Sequence, residues 1–392
     1  MPTTPMKNLL YRAALPVLSP SPKGQMSHIV SGHPITGLAA YEKLLARHHV
    51  FGATLLLRDG DNQAVVHTST LIPPHTAGGD TLYRVASITK MATALVTLML
   101  CEDGLLTLDT PIAPLLPAGK DEPLLEGVTP RHLLSHRSGL RDTPTYASAL
   151  DKGEPWQTVL RAPGVEGSRP GESFAYCNFG FGLMGCVLEA VSGQSIAALF
   201  RERLFQPLQM RAELDASTLE ETQIMPISRV LPYRAGTDVT ITPLGRRPLT
   251  EPDPLRHFGH TAGAMYTDAP SLSRLLGLIE GQGTLDSVTL LHPASVREMT
   301  TLHGFSGPAA NPTRRYGLGL VLLDAPELSP HRLLGHQGFA YGCVDGAFVE
   351  EHTGRQVIFL NGGASECRQG KLGLVNRDIL RWALKEEMPL WT

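Results

Sequence analysis

The 392-residue sequence predicts an α+β fold: one antiparallel sheet flanked by terminal helices, with a largely helical region inserted between its strands. Two β-prone runs, residues 51–58 and 63–68, flank an Asp-Gly turn and predict a hairpin. Further β-prone runs appear only late in the chain, at residues 316–323, 342–349 and 355–361. Because strands lie at both ends around a helical middle, the sheet should combine the two ends of the chain.

The chain divides into three predicted parts. Residues 1–36 are rich in Pro, Ser and Thr with weak periodicity, which predicts an N-terminal extended arm. Residues 37–110 and 300–392 should form the α/β region with the antiparallel sheet, and residues 111–299 the mostly helical inserted region. Residues 225–260 are proline-rich, and we expect them to form a long loop near the entrance of the candidate site described below. Helices are expected at residues 37–47, 179–191, 195–205 and 376–387.

Composition and charge exclude several classes of partner. Hydrophobic residues make up 42% of the chain and charged residues 18%, which predicts a well-filled core. The formal net charge is only -3 and no basic run is present, so nucleic acid is not an expected partner. No stretch approaches the roughly 18 apolar residues of a spanning helix, so no membrane span is predicted. The sequence carries no signal of oligomeric state.

The N-terminal sequence bears on localisation. Arg12 and Pro16 interrupt the apolar residues 8–18, which therefore do not form the uninterrupted apolar core of a secretory signal peptide. We expect a soluble protein, cytoplasmic in preference to periplasmic or secreted. The five cysteines form no C-x-x-C pair and are odd in number, which indicates neither a zinc site nor a disulfide framework. No metal or cofactor is predicted.

A Ser and a Lys three residues apart form the first candidate site. Ser87 and Lys90 lie at the start of an apolar segment, residues 91–100, that predicts a buried helix. Residues i and i+3 share one helix face, so the hydroxyl and the amine can meet. Because burial disfavours the charged amine, the neutral amine can activate the hydroxyl as a nucleophile.

Two further motifs follow. Tyr176-Cys177-Asn178 precedes a Gly-rich helical segment, and Gly335-His336-Gln337-Gly338 lies just before the strand predicted near Tyr341. An S-x-x-K, a Y-x-N and an H-x-G in this order resemble the serine penicillin-recognising hydrolases: class C β-lactamases, D-Ala-D-Ala carboxypeptidases, D-aminopeptidases and related esterases. Other stretches that look like recurring segments of this family are residues 105–109, 129–140, 206–210, 262–266 and 316–319.

The resemblance, which covers roughly residues 37–385, implies a class C β-lactamase-like fold and an acyl-enzyme mechanism. Ser87 would attack a carbonyl carbon, while Lys90 and the phenol of Tyr176 share the proton transfers. Asn178 would orient Lys90 and a substrate carbonyl or amide. The backbone N–H groups of Ser87 and Phe339 would form the oxyanion hole.

The third motif departs from class C β-lactamases, which carry Lys-Thr-Gly where this chain has His336-Gln337-Gly338. An ammonium is a permanent anchor for a substrate carboxylate, whereas imidazole, with an ordinary pKa of about 6.5, is largely neutral at pH 7. Carboxypeptidase-, aminopeptidase- and esterase-like members carry His here, so the resemblance favours peptide or ester hydrolysis over penicillin turnover. Gly338 would let a substrate lie against the strand.

The same residues also have purely structural interpretations. Ser87 would start a helix with Lys90 unrelated to it, Tyr176 would be a core aromatic residue, and His336 would be a turn histidine. Cys177 is interpreted as a small buried residue in preference to a redox-sensitive thiol.

Two rival sites are weaker. Residues 193–197 approximate the G-x-S-x-G elbow, but that elbow must follow a strand, and the residues before Ser195 look helical. Ser195 is therefore interpreted as a helix start. His132 and His136 have the i, i+4 spacing of a metal pair, but without an evident third ligand we expect packing and capping roles.

The predicted function is that of a serine hydrolase forming an acyl-enzyme at Ser87 without metal or cofactor, on a small molecule or short peptide. A D-Ala-D-Ala carboxypeptidase-like or D-amino-acid peptidase activity is favoured over a carboxylesterase or an acyltransferase. The alternative from another class is a non-catalytic, penicillin-binding-type sensor. Specificity is expected to reside in the loops at residues 225–260 and 300–315.

Overall fold

The computed structural model describes residues 5–72, 74–305, 315–370 and 372–384. Its strands, in chain order, are β1 (Met26–Gly32), β2 (Ala53–Asp59), β3 (Asn62–Leu71), β4 (Pro74–His75), β5 (Tyr83–Arg84), β6 (Ala212–Glu213), β7 (Tyr266–Thr267), β8 (Thr284–Leu285), β9 (Val288–Thr289), β10 (Gly304–Phe305), β11 (Arg315–Tyr316), β12 (Val321–Leu323), β13 (Leu333–Ala340), β14 (Cys343–Glu350), β15 (Gln356–Asn361), β16 (Arg368–Gln369) and β17 (Leu372–Gly373).

The helices cluster in the middle of the chain and at its two ends. In chain order they are α1 (Pro5–Leu18), α2 (Leu38–Arg47), α3 (Thr89–Glu102), α4 (Pro130–Leu134), α5 (Pro144–Lys152), α6 (Gln157–Leu160), α7 (Asn178–Ser192), α8 (Ile196–Phe200), α9 (His260–Gly263), α10 (Ala269–Glu280), α11 (Pro293–Thr300) and α12 (Leu374–Leu384). A π-helical turn, Arg201–Phe205, continues α8.

One large antiparallel sheet holds strands from both ends of the chain. Its order is β1-β3-β2-β15-β14-β13-β12-β11-β10, and β4 pairs with β3. The two ends of the chain join where β2 pairs with β15, with Leu55 opposite Phe359 and Leu57 opposite Val357. The predicted hairpin is β2 with β3, and the predicted two-ended antiparallel sheet is confirmed.

The central strands of the sheet are buried on both faces. Successive residues of a strand point to opposite faces, so Ile358 and Leu360 join the core on the helical side while Val357 and Phe359 join the core on the other side. Helix α10 packs against β2, β14 and β15, and α12 packs against α2, β14 and β15. Two helical layers therefore enclose the sheet.

Helix α3 lies inside the molecule. Every residue from Thr89 to Leu100 is buried, and the helix contacts α4, α7, α8, α9 and β13. The apolar sequence of this helix predicted that burial. A lysine near its start is consequently enclosed by protein on all sides.

The prediction of an extended arm over residues 1–36 is wrong for the part that the structure describes. Residues 5–18 form α1, which packs Leu15 with Phe51 and Val230, and β1 pairs with β3 as the edge strand of the sheet. The local sequence has weak periodicity because these elements depend on distant partners. Residues 1–4 lie outside the described chain.

The late strands also differ from expectation. The run predicted at residues 316–323 is a tight reversal from β11 to β12, with Tyr316 opposite Val321 and Gly319 at a φ of +73°. Gly335 to Gly338, expected just before a strand, lie inside β13, and Tyr341 lies in the turn that follows. Because glycine is depleted in strands, the two glycines at 335 and 338 do not predict a strand, and β13 was therefore not expected there.

Most predicted helices are found close to their expected bounds. The segments at residues 37–47, 179–191 and 195–205 correspond to α2, α7 and α8 with its π-helical turn. The final helix, α12, is described as far as Leu384, and residues 385–387 of its predicted extent lie outside the described chain. The domain boundaries at residues 110 and 299 stay predictions.

In the described part of the chain, no single helix is both long enough and apolar enough to cross a membrane. Residues 178–192 and 196–205 together have the length and the apolar composition of a span, but the two segments meet at a bend of 87°.

Candidate active site

Ser87 lies in a tight turn that leads directly into α3. A 3₁₀ turn, Ala86–Ile88, is followed at once by the helix. Ala86 has a φ of +45°, in the left-handed region that is uncommon for a residue with a side chain. Such backbone outliers cluster at functional sites, and this one immediately precedes the candidate nucleophile.

The amine of Lys90 is fully buried and has three close oxygen atoms around it. Nζ lies 3.0 Å from Ser87 Oγ, 2.8 Å from Asn178 Oδ1 and 2.6 Å from the carbonyl oxygen of Ala262. The predicted meeting of Ser87 and Lys90 is therefore present, although Ser87 lies in the 3₁₀ turn that precedes α3 and not in the helix itself. Ala262 comes from α9, and no local pattern in the sequence points to it.

The protonation state of Lys90 decides what these contacts can do. Burial lowers the pKa of Lys90 from 10.5 to about 7, and the nearby Asp142 carboxylate opposes this shift. An ammonium would donate to all three oxygen atoms and keep no lone pair. A neutral amine has two N–H groups; with these on Asn178 and Ala262, its lone pair faces the hydroxyl of Ser87. The neutral amine can then take the Ser87 proton.

Tyr176 contacts Ser87 from the open side. Its hydroxyl donates to Ser87 Oγ over 2.9 Å, and the side chain is 39% exposed. Burial of the hydroxyl raises the pKa of Tyr176 above its ordinary value of 10, although the hydrogen bond to Ser87 opposes the rise. Near neutral pH the phenol therefore keeps its proton while Lys90 loses one.

Asn178, the first residue of α7, is held by an acid that the sequence analysis missed. Its Nδ2 donates to Asp142 Oδ2 over 2.7 Å, and the backbone N–H groups of Asn178 and Phe179 donate to Asp142 oxygens over 3.0 and 2.9 Å. A carboxylate only accepts hydrogen bonds, so Nδ2 must face Asp142 and Oδ1 must face Lys90.

His336 lies within β13 and is buried. Its Nδ1 donates to the Gln337 carbonyl oxygen over 2.6 Å, and its Nε2 accepts from the Tyr316 hydroxyl. Burial, with a smaller contribution from Lys90, lowers the pKa of His336 to about 3. The imidazole is therefore neutral at pH 7. Its ring centroid lies 6.4 Å from that of Tyr176, so the imidazole borders the cluster.

Gly338 and Phe339 follow in the same strand, beside the turn that carries Ser87. Phe339 lies opposite Val344 of β14, and its ring carries the guanidinium of Arg368 with Cζ 3.4 Å from the ring centroid. The structure thus brings the third motif against the turn that carries Ser87. The oxyanion role of the Phe339 N–H stays a prediction.

Several side chains that complete the site were not predicted. His136 packs its ring 4.2 Å from the ring of Tyr176, and its Nδ1 accepts the backbone N–H of Cys177 over 3.1 Å. Two of these side chains lie in segments that resemble the family, which is the only signal that could have found them. The unpredicted residues are His136, Asp142, Tyr316 and Arg368.

Ser87 opens into a pocket of about 870 Å³, a size that suits a small ligand. Arg229, Pro243 and Leu244 contribute to its wall, so the proline-rich loop at residues 225–260 reaches the site as predicted. Residues 306–314 of the other predicted specificity loop lie outside the described chain. The charged residues lining the pocket are Arg84, Asp142, Asp151, Arg229 and Arg368.

The rival nucleophile has a structural role. Ser195 is 4% exposed, follows the helix α7, and accepts the Ala198 N–H over 3.3 Å as the cap of α8. The elbow interpretation is therefore excluded, because the elbow requires a preceding strand. Cys177 is also buried and accepts the Gly180 N–H over 3.3 Å, and burial raises the pKa of its thiol. Both residues match their structural interpretations.

The metal-pair interpretation of His132 and His136 has no support in the described ranges. They contain no group of three or more His, Cys, Asp or Glu side chains that could hold a metal ion. His136 instead packs against Tyr176.

Comparisons with known proteins support the family resemblance. The family model described as Beta-lactamase matches residues 39–361. The chain is 33% identical to penicillin-binding protein 4 of Amycolatopsis lactamdurans over 180 residues, which are 43% of this chain and 45% of that protein. It is 28% identical to esterase EstB of Burkholderia gladioli over 337 residues, 77% of this chain and 82% of that protein. The chain thus spans less than half of the length of the first relative.

Solved structures show the same fold. A D-amino acid amidase from Ochrobactrum anthropi SV3 has a TM-score of 0.67 at 24% identity, over 85% of this chain and 95% of that chain. The predicted α+β, class C β-lactamase-like fold is confirmed. The predicted resemblance is confirmed as well, because the family model spans most of the sequence. This protein belongs to the beta-lactamase family.

Proposed function

We propose that this chain is a serine hydrolase that forms an acyl-enzyme at Ser87 and acts on small peptides or amides of D-amino acids. The observation that carries the proposal is the continuous contact from the Tyr176 hydroxyl through Ser87 Oγ to Lys90 Nζ, with distances of 2.9 and 3.0 Å. A serine hydroxyl needs an adjacent base to become a nucleophile. A buried amine with a pKa of about 7 suits that role at neutral pH.

The reaction would run in two stages. Ser87 Oγ bonds to the substrate carbonyl carbon as its proton passes to Lys90; the C–N bond then breaks, and that proton returns through the Tyr176 hydroxyl to the leaving nitrogen. Water next attacks the acyl-enzyme and gives a proton to Lys90, which passes it to Ser87 Oγ as the acid leaves. Backbone N–H groups of Ser87 and Phe339 would stabilise both tetrahedral intermediates.

The charges of the pocket favour a substrate with a carboxylate on its leaving group. His336 is neutral and supplies no anchor for it. Arg368, a permanent cation, lines the same pocket and lies close enough to Tyr176 to oppose the rise in the pKa of that phenol. Tyr176 is the proton donor to the leaving group, so Arg368 stands on the leaving-group side. This placement supports a D-amino-acid peptidase of the carboxypeptidase type.

The second candidate function is that of a carboxylesterase. It is favoured by the similarity to an esterase over 77% of the chain. It is also favoured by the neutral His336, because an uncharged ester has no carboxylate that would need a cation as its anchor. Acyl transfer would use the same acyl-enzyme, with an amine or alcohol in the place of water. A D-configured amide substrate has its own support in the fold shared with a D-amino acid amidase.

The test compares the purified wild type with Ser87→Ala. Both are incubated with a fluorophosphonate probe and with a panel of D-Ala-D-Ala peptides, D-aminoacyl amides, their L-counterparts, short p-nitrophenyl esters and a chromogenic cephalosporin. The wild type should be labelled and should turn over D-configured substrates faster than the L-forms and the cephalosporin. Ser87→Ala should do neither.

Three results would contradict the proposal in different ways. A wild type that is not labelled and turns over no substrate would favour the alternative function, a non-catalytic sensor. Labelling that survives Ser87→Ala would mean another nucleophile. Turnover of esters alone would leave Ser87 in place and select the carboxylesterase.

A further inference from the structure

We propose that Asp142 is a positioning residue for this reaction, which holds Asn178 in the one orientation that directs the lone pair of Lys90 at Ser87. The inference rests on the proposed function, because it concerns the same base and nucleophile. Nothing in the three sequence motifs includes residue 142.

The contacts of Asp142 are concentrated on one short segment. Asp142 lies between α4 and α5, yet its carboxylate accepts from three N–H groups at the start of α7 and contacts Cys177 Sγ at 3.5 Å. The first two backbone N–H groups of α7 are therefore bonded to this acid. Because Asn178 is the first residue of that helix, the acid controls both its backbone and its side chain.

The orientation of the Asn178 amide follows from these contacts. If the amide were reversed, its Nδ2 would face the N–H groups of Lys90 and its Oδ1 would face the carboxylate of Asp142. Donor would then meet donor, and acceptor would meet acceptor. Asp142 thus keeps Oδ1 at 2.8 Å from Lys90 Nζ. With the Ala262 oxygen taking the second N–H, only Ser87 remains for the lone pair.

The surroundings of Lys90 make the Asp142 charge distinctive. Burial raises the pKa of the Cys177 thiol and lowers the pKa values of His136 and His336, so these three groups are neutral near pH 7. The phenol of Tyr176 is neutral as well. Arg84 is a cation that disfavours the ammonium of Lys90, whereas Asp142 favours it. Among the described titratable groups facing Lys90, Asp142 carries the negative charge that stabilises the ammonium of Lys90 after it takes a proton.

A merely structural role for Asp142 predicts a different outcome. As a helix cap alone, Asp142 is partly replaced by Asn, because the single amide oxygen can still accept a backbone N–H group of Asn178 or Phe179, whereas the longer Glu caps less well. As a positioning residue, Asp is not replaced by Asn, because an amide can also donate to Asn178 Oδ1 and carries no charge. Capping therefore predicts that Asn is better than Glu, and positioning predicts the reverse.

The experiment measures kcat and KM from pH 5 to 9 on a neutral p-nitrophenyl ester. The variants are Asp142→Asn, Asp142→Glu and, as a matched control, Asp268→Asn, which alters an acid that accepts the Ser271 N–H over 2.8 Å as the cap of α10. In Asp142→Asn, kcat should fall about 10- to 100-fold with a much smaller change in KM. Its acid limb should move to lower pH, since the ammonium of Lys90 has lost a favourable charge. Asp142→Glu should recover part of both effects.

Several outcomes would overturn the inference. Asp142→Asn with wild-type kcat and an unmoved acid limb would reduce Asp142 to a cap, as would Asn being more active than Glu. An equal loss in Asp268→Asn would make the effect one of general stability. The proposed function fails separately, since in that case the wild type itself would show no turnover and no fluorophosphonate labelling.

Discussion

Strand β13 passes so close to the turn before Ser87 that a Cβ built on Gly338 would lie 2.4 Å from the carbonyl oxygen of Val85. The absence of a side chain at Gly338 therefore has a structural reason in addition to the predicted one, which is to let a substrate lie against the strand. It lets the third motif approach the turn Ala86–Ile88 that carries Ser87. The motif and the nucleophile thus have a fixed separation, set by backbone contact.

Replacing Gly338 with Ala should therefore reduce activity strongly. The added methyl group must push β13 away from Val85, and a shift of about 1 Å in a catalytic site costs on the order of 100-fold in rate. Overpacking should also cost about 1–3 kcal/mol of stability. Fluorophosphonate labelling rates and thermal unfolding would measure both. Gly78→Ala is the control, since a Cβ at Gly78 meets no atom within 4 Å; equal rates for the two variants would contradict the close approach.

The pH dependence of the wild type should reflect Lys90. Its amine has a pKa of about 7 in the folded protein, and below that value the ammonium has no lone pair for the Ser87 proton. On a neutral ester, kcat/KM should rise tenfold per pH unit below about 7 and level off above it. Because burial raises the pKa of Tyr176, no alkaline fall is expected below pH 10. A profile that is flat from pH 5 to 9 would argue against Lys90 as the base.

The free energy of unfolding should also depend on the protonation of Lys90. The pKa of Lys90 is about 7 in the folded chain and 10.5 when exposed, so between these values the unfolded chain holds the extra proton. Raising the pH through this window should stabilise the wild type relative to Lys90→Met by about 1.4 kcal/mol per unit. In Lys90→Met the oxygen atoms of Asn178 and Ala262 lose their hydrogen-bond donor, and this loss of stability does not depend on pH. Urea unfolding at several pH values gives the difference, and a constant difference would mean that Lys90 titrates normally.

Arg368 should discriminate between substrates with and without a carboxylate. Arg368→Gln removes the cation that we place on the leaving-group side, and a charged hydrogen bond contributes about 1.5–3 kcal/mol. Turnover of a D-Ala-D-Ala peptide should fall about 10- to 100-fold, with a smaller change for the corresponding D-aminoacyl amide. Arg229→Gln, another cation of the pocket wall, gives the comparison. An equal loss on both substrates would place the leaving-group carboxylate elsewhere.

Local patterns carried much of the prediction. The i, i+3 spacing of Ser87 and Lys90 is a property of any helix, and the apolar residues after them required burial. Hairpin and late strands were visible because alternation and turn residues are short-range signals. Glycine-containing β13 and the edge strand β1 were not, since their pairing depends on strands far away in the chain.

The sequence by itself determined the family, the order of the three motifs and the meeting of Ser87 with Lys90. Only the tertiary structure decided which partners take the N–H groups of Lys90: Ala262 arrives from α9, and Asn178 is aimed by Asp142. It also decided that His336 stays neutral well below pH 7, because burial lowers its pKa to about 3. The physical reason is that desolvation and hydrogen-bond direction are set by residues distant in the chain, whereas helix faces are set by neighbours.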